Sequence, residues 1–205
     1  MRVAIVTEGR SEVGSIPKII PQLRTRTGNV VLAPIYAPIP PEASVAVMVR
    51  ACVKAVRIVQ SKNADLVVIV LDREGRQTRP GQLAGDIEAG IRQEISSPSV
   101  RVVLKDQMFE NWLVADLKAL SSQRARFEVT PAMERLVQPD KADHTKAINI
   151  LNRAVKDGQY EKTTDSKRIL EKFDVGRAAL HSRSFRHFLH VLGDSEFQHQ
   201  CRQPA

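Results

Sequence analysis

The sequence predicts an α/β fold: a central, mainly parallel sheet flanked by helices, followed by a helical C-terminal portion. Three observations carry this. Two runs, Val3-Ala4-Ile5-Val6 and Leu66-Val67-Val68-Ile69-Val70-Leu71, are short, rich in Val and Ile and free of polar residues, the pattern of strands buried on both faces. Strand-like and helix-like patterns alternate to about residue 120, which signals βαβ units. From residue 121 onward no stretch reads as a convincing strand.

The elements follow in order. Residues 2–6 form the first strand, and Gly9 supplies the turn after Glu8. A helix is expected to about Arg24, disturbed by Pro17 and Pro21, with Ser15 as a cap for a late start. Asn29 to Tyr36 reads as the second strand, and the Pro-rich stretch 38–41 as a loop. Glu42 to Ser61 carries Val45, Val49, Cys52, Val53, Val56 and Val59 at helical spacing. Residues 66–71 are the third strand, Arg73 to Gly81 a basic loop, and Gln82 to Ile95 a helix. Val100 to Leu104 is the fourth strand, after the Pro98 breaker, and Gln107 to Leu120 the next helix. Short helices are expected at 143–156, 164–172 and 184–192. These patterns divide the chain into a core, residues 1–120, and a helical extension, 121–205, packed on it. The boundary falls near 121–140, where Pro131 and Pro139 sit.

The chain has 205 residues and a formal net charge of +8, from 31 basic and 23 acidic side chains. Such an excess suits a polyanionic partner as well as plain solubility. Cys52 and Cys201 are the only cysteines, too few for a disulfide framework or a zinc site. The first strand begins at once, so no signal peptide is expected. Prolines at 34, 38, 40 and 41 interrupt the apolar stretch from Val30 to Val49, so it is not a membrane span. A cytoplasmic protein is expected. Walker A, Gly-x-Gly-x-x-Gly and Gly-x-Ser-x-Gly motifs are absent, which argues against a P-loop ATPase, a dinucleotide-binding domain and an α/β-hydrolase.

Both Val/Ile runs end in acid: Thr7-Glu8-Gly9-Arg10-Ser11-Glu12 and Asp72-Arg73-Glu74-Gly75. Parallel strands end at one shared edge, where ligands bind. Neighbouring strands lie about 4.8 Å apart, so Glu8, Asp72 and Glu74 would converge. Clustered carboxylates repel and raise one another's pKa, a cost that a hard divalent cation removes. Without metal, the carboxylates are expected to splay or to bond to nearby arginines.

These motifs resemble the TOPRIM family, the catalytic module of topoisomerases, DnaG-type primases and OLD-family nucleases. That fold places a Glu after its first strand and Asp-x-Asp after its third; here Glu74 replaces the second Asp and reaches one methylene further. A closer resemblance is to small bacterial TOPRIM-like proteins that accompany ATPases in anti-phage defence. It rests on Glu8-Gly9-Arg10-Ser11-Glu12, Glu110-Asn111-Trp112-Leu113-Val114-Ala115-Asp116 and Ser182-Arg183-Ser184-Phe185-Arg186. The resemblance implies a metal-dependent nuclease with Mg²⁺ or Mn²⁺ on Glu8, Asp72 and Glu74. By the same resemblance Glu12 and Glu110 complete a second metal position, and Lys146 or Lys162 is the catalytic lysine. Arg10, Arg73, Arg76, Arg183 and Arg186 are expected to contact phosphates. The implied partners are DNA or RNA and an ATPase, with a homo-oligomer left open and no membrane. The alternative is a catalytically inactive TOPRIM-like subunit that binds or regulates an ATPase.

Several residues also have structural readings. Glu12 and Glu110 suit the positive N-termini of helices. Asp116 suits a structural contact, and Trp112 suits the core because it lies on an apolar stripe. His181, His187 and His190 lack partners at zinc-site spacing and read as a polar face.

Overall fold

The computed structural model describes residues 1–197; Cys201 lies outside them. Five strands, β1 (Arg2–Thr7), β2 (Val30–Val31), β3 (Ile35–Tyr36), β4 (Leu66–Asp72) and β5 (Ser99–Lys105), form one sheet in the order β2-β1-β4-β5. β3 also pairs with β1, beyond β2. Every pairing is parallel. The β1 and β4 strands are neighbours, in register from Val3↔Leu66 to Thr7↔Val70, and β4 continues to Asp72↔Lys105 on β5.

Helices cover both faces. α1 (Arg10–Ser15), α2 (Ile20–Thr27), α3 (Val45–Gln60) and α4 (Pro80–Glu94) lie within the strand region. α5 (Phe109–Val114), α6 (Leu117–Ser121), α7 (Pro131–Val137), α8 (Ala147–Ala154), α9 (Lys162–Glu171), α10 (Val175–Ala179) and α11 (Arg183–Val191) follow β5. Alternate strand residues serve two cores. Val3, Ile5, Val68 and Val70 pack with α5 and the later helices, whereas Ala4, Val6, Val67 and Ile69 pack with α3 and α4. Burial of each such Val or Ile contributes about 1.5–3 kcal/mol. That two-sided burial is why both runs lack polar residues. The first core runs without a break from Val3 to Phe197, so the later helices complete the layer that β1 and β4 need.

The structure redraws several expected elements. The stretch 29–36 is two short strands rather than one, with Pro34, which has no N–H to donate, between them. The helix expected to Arg24 is broken by a 3₁₀ turn, Ile16–Lys18, and restarts with Pro21 in its first turn. Ser15 does not cap by its side chain; its hydroxyl donates to the Ser11 carbonyl at 2.5 Å. The helix expected over 107–120 is two, because Asp116 leaves helical geometry and caps α6 by accepting from the Ala119 N–H. Helix α8 starts only at Ala147, and α7 and α10 are additional to the expected set.

Candidate active site at the carboxyl edge of the sheet

Three strands deliver side chains to one edge. Glu8 follows β1, Asp72 ends β4 and Lys105 ends β5. Glu12 stands in the first turn of α1, directly above. Gly9 permits that placement: a Cβ there would come within 2.7 Å of Glu12 Oε1.

Lys105 is the centre of the arrangement. Its side chain is fully buried, and Nζ lies 2.6 Å from Glu12 Oε1 and 2.8 Å from Asp72 Oδ1. The first contact is a hydrogen bond; the second is an ion-pair distance without good hydrogen-bond geometry. The Phe109 ring lies 5.7 Å from the same nitrogen. Burial works against the ammonium, but Glu12, Asp72 and Glu8 outweigh it and hold its pKa above the ordinary lysine value.

The carboxylates are under strain of the opposite kind. Burial pushes Glu12 up to about 8, with Asp72 and Glu8 adding to the rise and Lys105 opposing it. Burial likewise pushes Glu8 up to about 7; Lys105 and the Asp72 N–H oppose this, while Asp72 and Glu74 reinforce it. Glu8 Oε1 accepts the Asp72 N–H, which ties the ends of β1 and β4 together. Glu12 is 2 % exposed, and its Oε2 has no hydrogen-bond partner among the described residues.

The sequence expectations are thus met unevenly. Glu8, Glu12 and Asp72 meet at one place, but around a lysine rather than arginines. Glu74 follows in a left-handed conformation, φ 51°, with its N–H donated to the Gln107 carbonyl, and its charge reaches Glu8. Glu110 is buried on α5 and pairs instead with Lys162, at 3.4 Å. Lys146 stands exposed before α8, among basic residues. The lysine that does meet the acids, Lys105, was missed. Its signal was available: it follows Val102-Val103-Leu104 at the same sheet edge as Glu8 and Asp72.

The arginines divide. Arg186 is not free for phosphate: it is buried, with its guanidinium on Asp140 at 2.8–2.9 Å and on the Ala179 carbonyl at 2.7 Å. Arg73 pairs with Asp106 at 3.0 Å, and Arg76 donates to the Ala43 and Pro41 carbonyls, so both brace the loop after β4. Arg10 is exposed over the Tyr36 ring, and Arg183 is exposed on α11. Asp116 does hold a structural contact, accepting Arg177 Nε and Nη2 at 2.9 and 2.8 Å. Trp112 is core, packed against Phe185 and Phe188. His187 and His190 stack on α11 with centroids 6.3 Å apart.

Among the described residues no three carboxylate, imidazole or thiol side chains form a ready-made metal cage. The donor set nevertheless fits a hard cation. It is all carboxylate oxygen, and the buried, unpartnered Glu12 Oε2 is the acceptor such an ion would satisfy. Among the described residues no helix is long and apolar enough to cross a membrane.

Residues 7–193 match the model of a family described as a domain of unknown function, DUF4276, and the chain belongs to that family. No curated protein and no solved structure matches it.

Proposed function

We propose that this DUF4276 protein is a TOPRIM-like, metal-dependent nuclease that hydrolyses phosphodiester bonds in DNA or RNA and works with an ATPase in anti-phage defence. The observation that carries the reading is the buried Glu12, with one oxygen unpartnered, beside Glu8 and Asp72 at the carboxyl edge of adjacent parallel strands. The defence context and the ATPase come from the resemblance of the motifs.

In this reading Glu8, Glu12 and Asp72 would hold Mg²⁺ or Mn²⁺, and Glu74, whose charge reaches Glu8, would add to the set. When bound, such an ion supplies polarisation of the phosphate, activation of water and neutralisation of the leaving oxygen. Lys105 holds Glu12 and Asp72 in position and lowers the repulsion among the acids. Burial keeps protons on Glu8 and Glu12 up to about pH 7 and 8. Cation uptake releases those protons, so affinity should rise with pH across that window.

A second reading rests on Lys105. Its ammonium already supplies positive charge to the acids, as a stable, non-catalytic subunit of an ATPase complex would require. Cleavage of labelled DNA and RNA in Mn²⁺, with and without a co-purifying ATPase, separates the two. Wild type is expected to cut, and Asp72→Ala to lose at least about 100-fold, the scale of losing a principal catalytic contribution. Equal cutting by both proteins would show that the site is misassigned. Absence of cutting under every condition would favour the subunit.

A further inference from the structure

A second feature lies beside the carboxyl edge and is its electrostatic opposite. A pocket of about 450 Å³ opens between α7 and α8, a volume suited to a nucleotide-sized group. Lys141, His144, Lys146 and Arg153 line it, with Leu136 as exposed apolar surface and Ile150 at its buried floor, and among the described residues no carboxylate does. Lys146 precedes α8 and Arg153 falls two turns on, so both occupy one face of that helix. Its other face, with Ala147, Leu151 and Ala154, is core.

The nearby acids are committed elsewhere. Asp140 holds Arg186. Asp143 is buried and accepts from Ser182 and Ser184. Asp106 holds Arg73 at 3.0 Å and stands 3.7 Å from His144. Lys141, Lys146 and Arg153 make no ion pair among the described residues. Asp106 also follows Lys105 directly, which puts the pocket next to the acidic edge.

The geometry points to a phosphate-binding pocket that grips the backbone of a nucleic-acid strand beside the acidic edge. The cations take phosphate oxygens, and Leu136, exposed at the rim, takes the sugar or base. Lys146 is thus a strand-binding residue rather than the catalytic lysine. The choice of a strand as ligand rests on the nuclease reading; the anion preference rests on the pocket alone.

The test is binding rather than cleavage. Fluorescence anisotropy of a labelled 20-nucleotide DNA and the matching RNA is followed from 50 to 300 mM salt in EDTA. The proteins compared are wild type, the Lys146→Gln/Arg153→Gln double variant and an Arg50→Gln/Lys54→Gln control. The control residues line a separate groove between β3 and α3. The pocket variant is expected to lose at least about tenfold in affinity, and its salt slope should fall by about 2, one for each phosphate contact removed. The control is expected to bind as wild type. Because Lys146 and Arg153 are exposed, the variant should melt as wild type does.

Unchanged affinity and slope in the pocket variant would overturn the proposal, as would an equal loss in the control. Pocket-dependent binding of AMP with strand binding unaffected would overturn the strand and leave a mononucleotide site. A strand held at the pocket but never cut would support the pocket and count only against the nuclease reading.

Discussion

Glu12 and Asp143 are buried to nearly the same degree, 2 % and 3 % exposed, yet their surroundings differ in kind. Asp143 Oδ1 accepts the Ser182 and Ser184 hydroxyls at 2.7 and 2.8 Å, and Oδ2 accepts the Ser184 N–H at 2.7 Å. Trp112 Nε1 donates to the Ser184 hydroxyl at 2.8 Å and extends the network into the aromatic core. Both oxygens of Asp143 are used, and each donor has a place. Glu12 has one oxygen on Lys105 and the other on nothing. A buried carboxylate with a complete set of donors fixes two segments together. One left half satisfied, among other acids, is where the proposed cation would sit.

The largest effect should come from removing Lys105. Lys105→Met keeps the length of the side chain but leaves the buried Glu12 and the partly exposed Asp72 without their cation, a loss of about 3–5 kcal/mol in urea unfolding at pH 8. Millimolar Mn²⁺ should return much of it if the acids accept a metal. Loss without rescue would make Lys105 an integral structural ion and strengthen the subunit reading.

Asp143→Ala should come next. It strands the Ser182 and Ser184 donors in the core, a cost of about 3 kcal/mol at the rate of buried unsatisfied groups. No metal should restore it. If Mn²⁺ stabilised this variant as much as Lys105→Met, the contrast between the two carboxylates would fail.

The same contrast explains what could be read from the chain beforehand. The Val/Ile runs were legible because two-sided burial forbids polar residues at every strand position. Glu8 and Asp72 were legible because each stands at the end of such a run, and parallel strands share an edge. Lys105 obeys that rule too, but a lysine ending a strand also looks like the point where the chain reaches water. The Ser182-Arg183-Ser184-Phe185-Arg186 motif was visible as a pattern, while its job was not. The partners of Ser182, Ser184 and Arg186 are Asp143 and Asp140, about forty residues away, and no local spacing reports such a pairing. Glu110 and Lys162 escape for the same reason: the motifs suggest Glu110 as a metal ligand and Lys162 as one of two candidate catalytic lysines, and the fold makes each the other's partner.

The smallest effect separates the acidic site from ordinary pH dependence. Glu8 and Glu12 are raised from 4.5 to about 7 and 8. Between 4.5 and 8 the folded chain therefore holds more protons at these groups than the unfolded chain. Their contribution to stability falls as pH rises through that window. His187 has the opposite sign. Burial lowers its pKa below 6.5, and His190, Arg101 and Arg183 around it push the same way. The folded chain then holds fewer protons at His187 than the unfolded chain, so its contribution is lost as pH falls below 6.5. Urea midpoints from pH 5 to 8.5, without metal, should show both limbs. Glu12→Gln should lessen the fall in stability as pH rises from 4.5 to 8, and His187→Gln should lessen the loss as pH falls below 6.5. Saturating Mn²⁺ should imitate Glu12→Gln and leave the His187 limb untouched, because a cation that displaces the protons of Glu8 and Glu12 has no purchase on α11. If Mn²⁺ shifted both limbs alike, its binding would be general to the surface, and the half-satisfied Glu12 would lose its claim to be a metal position.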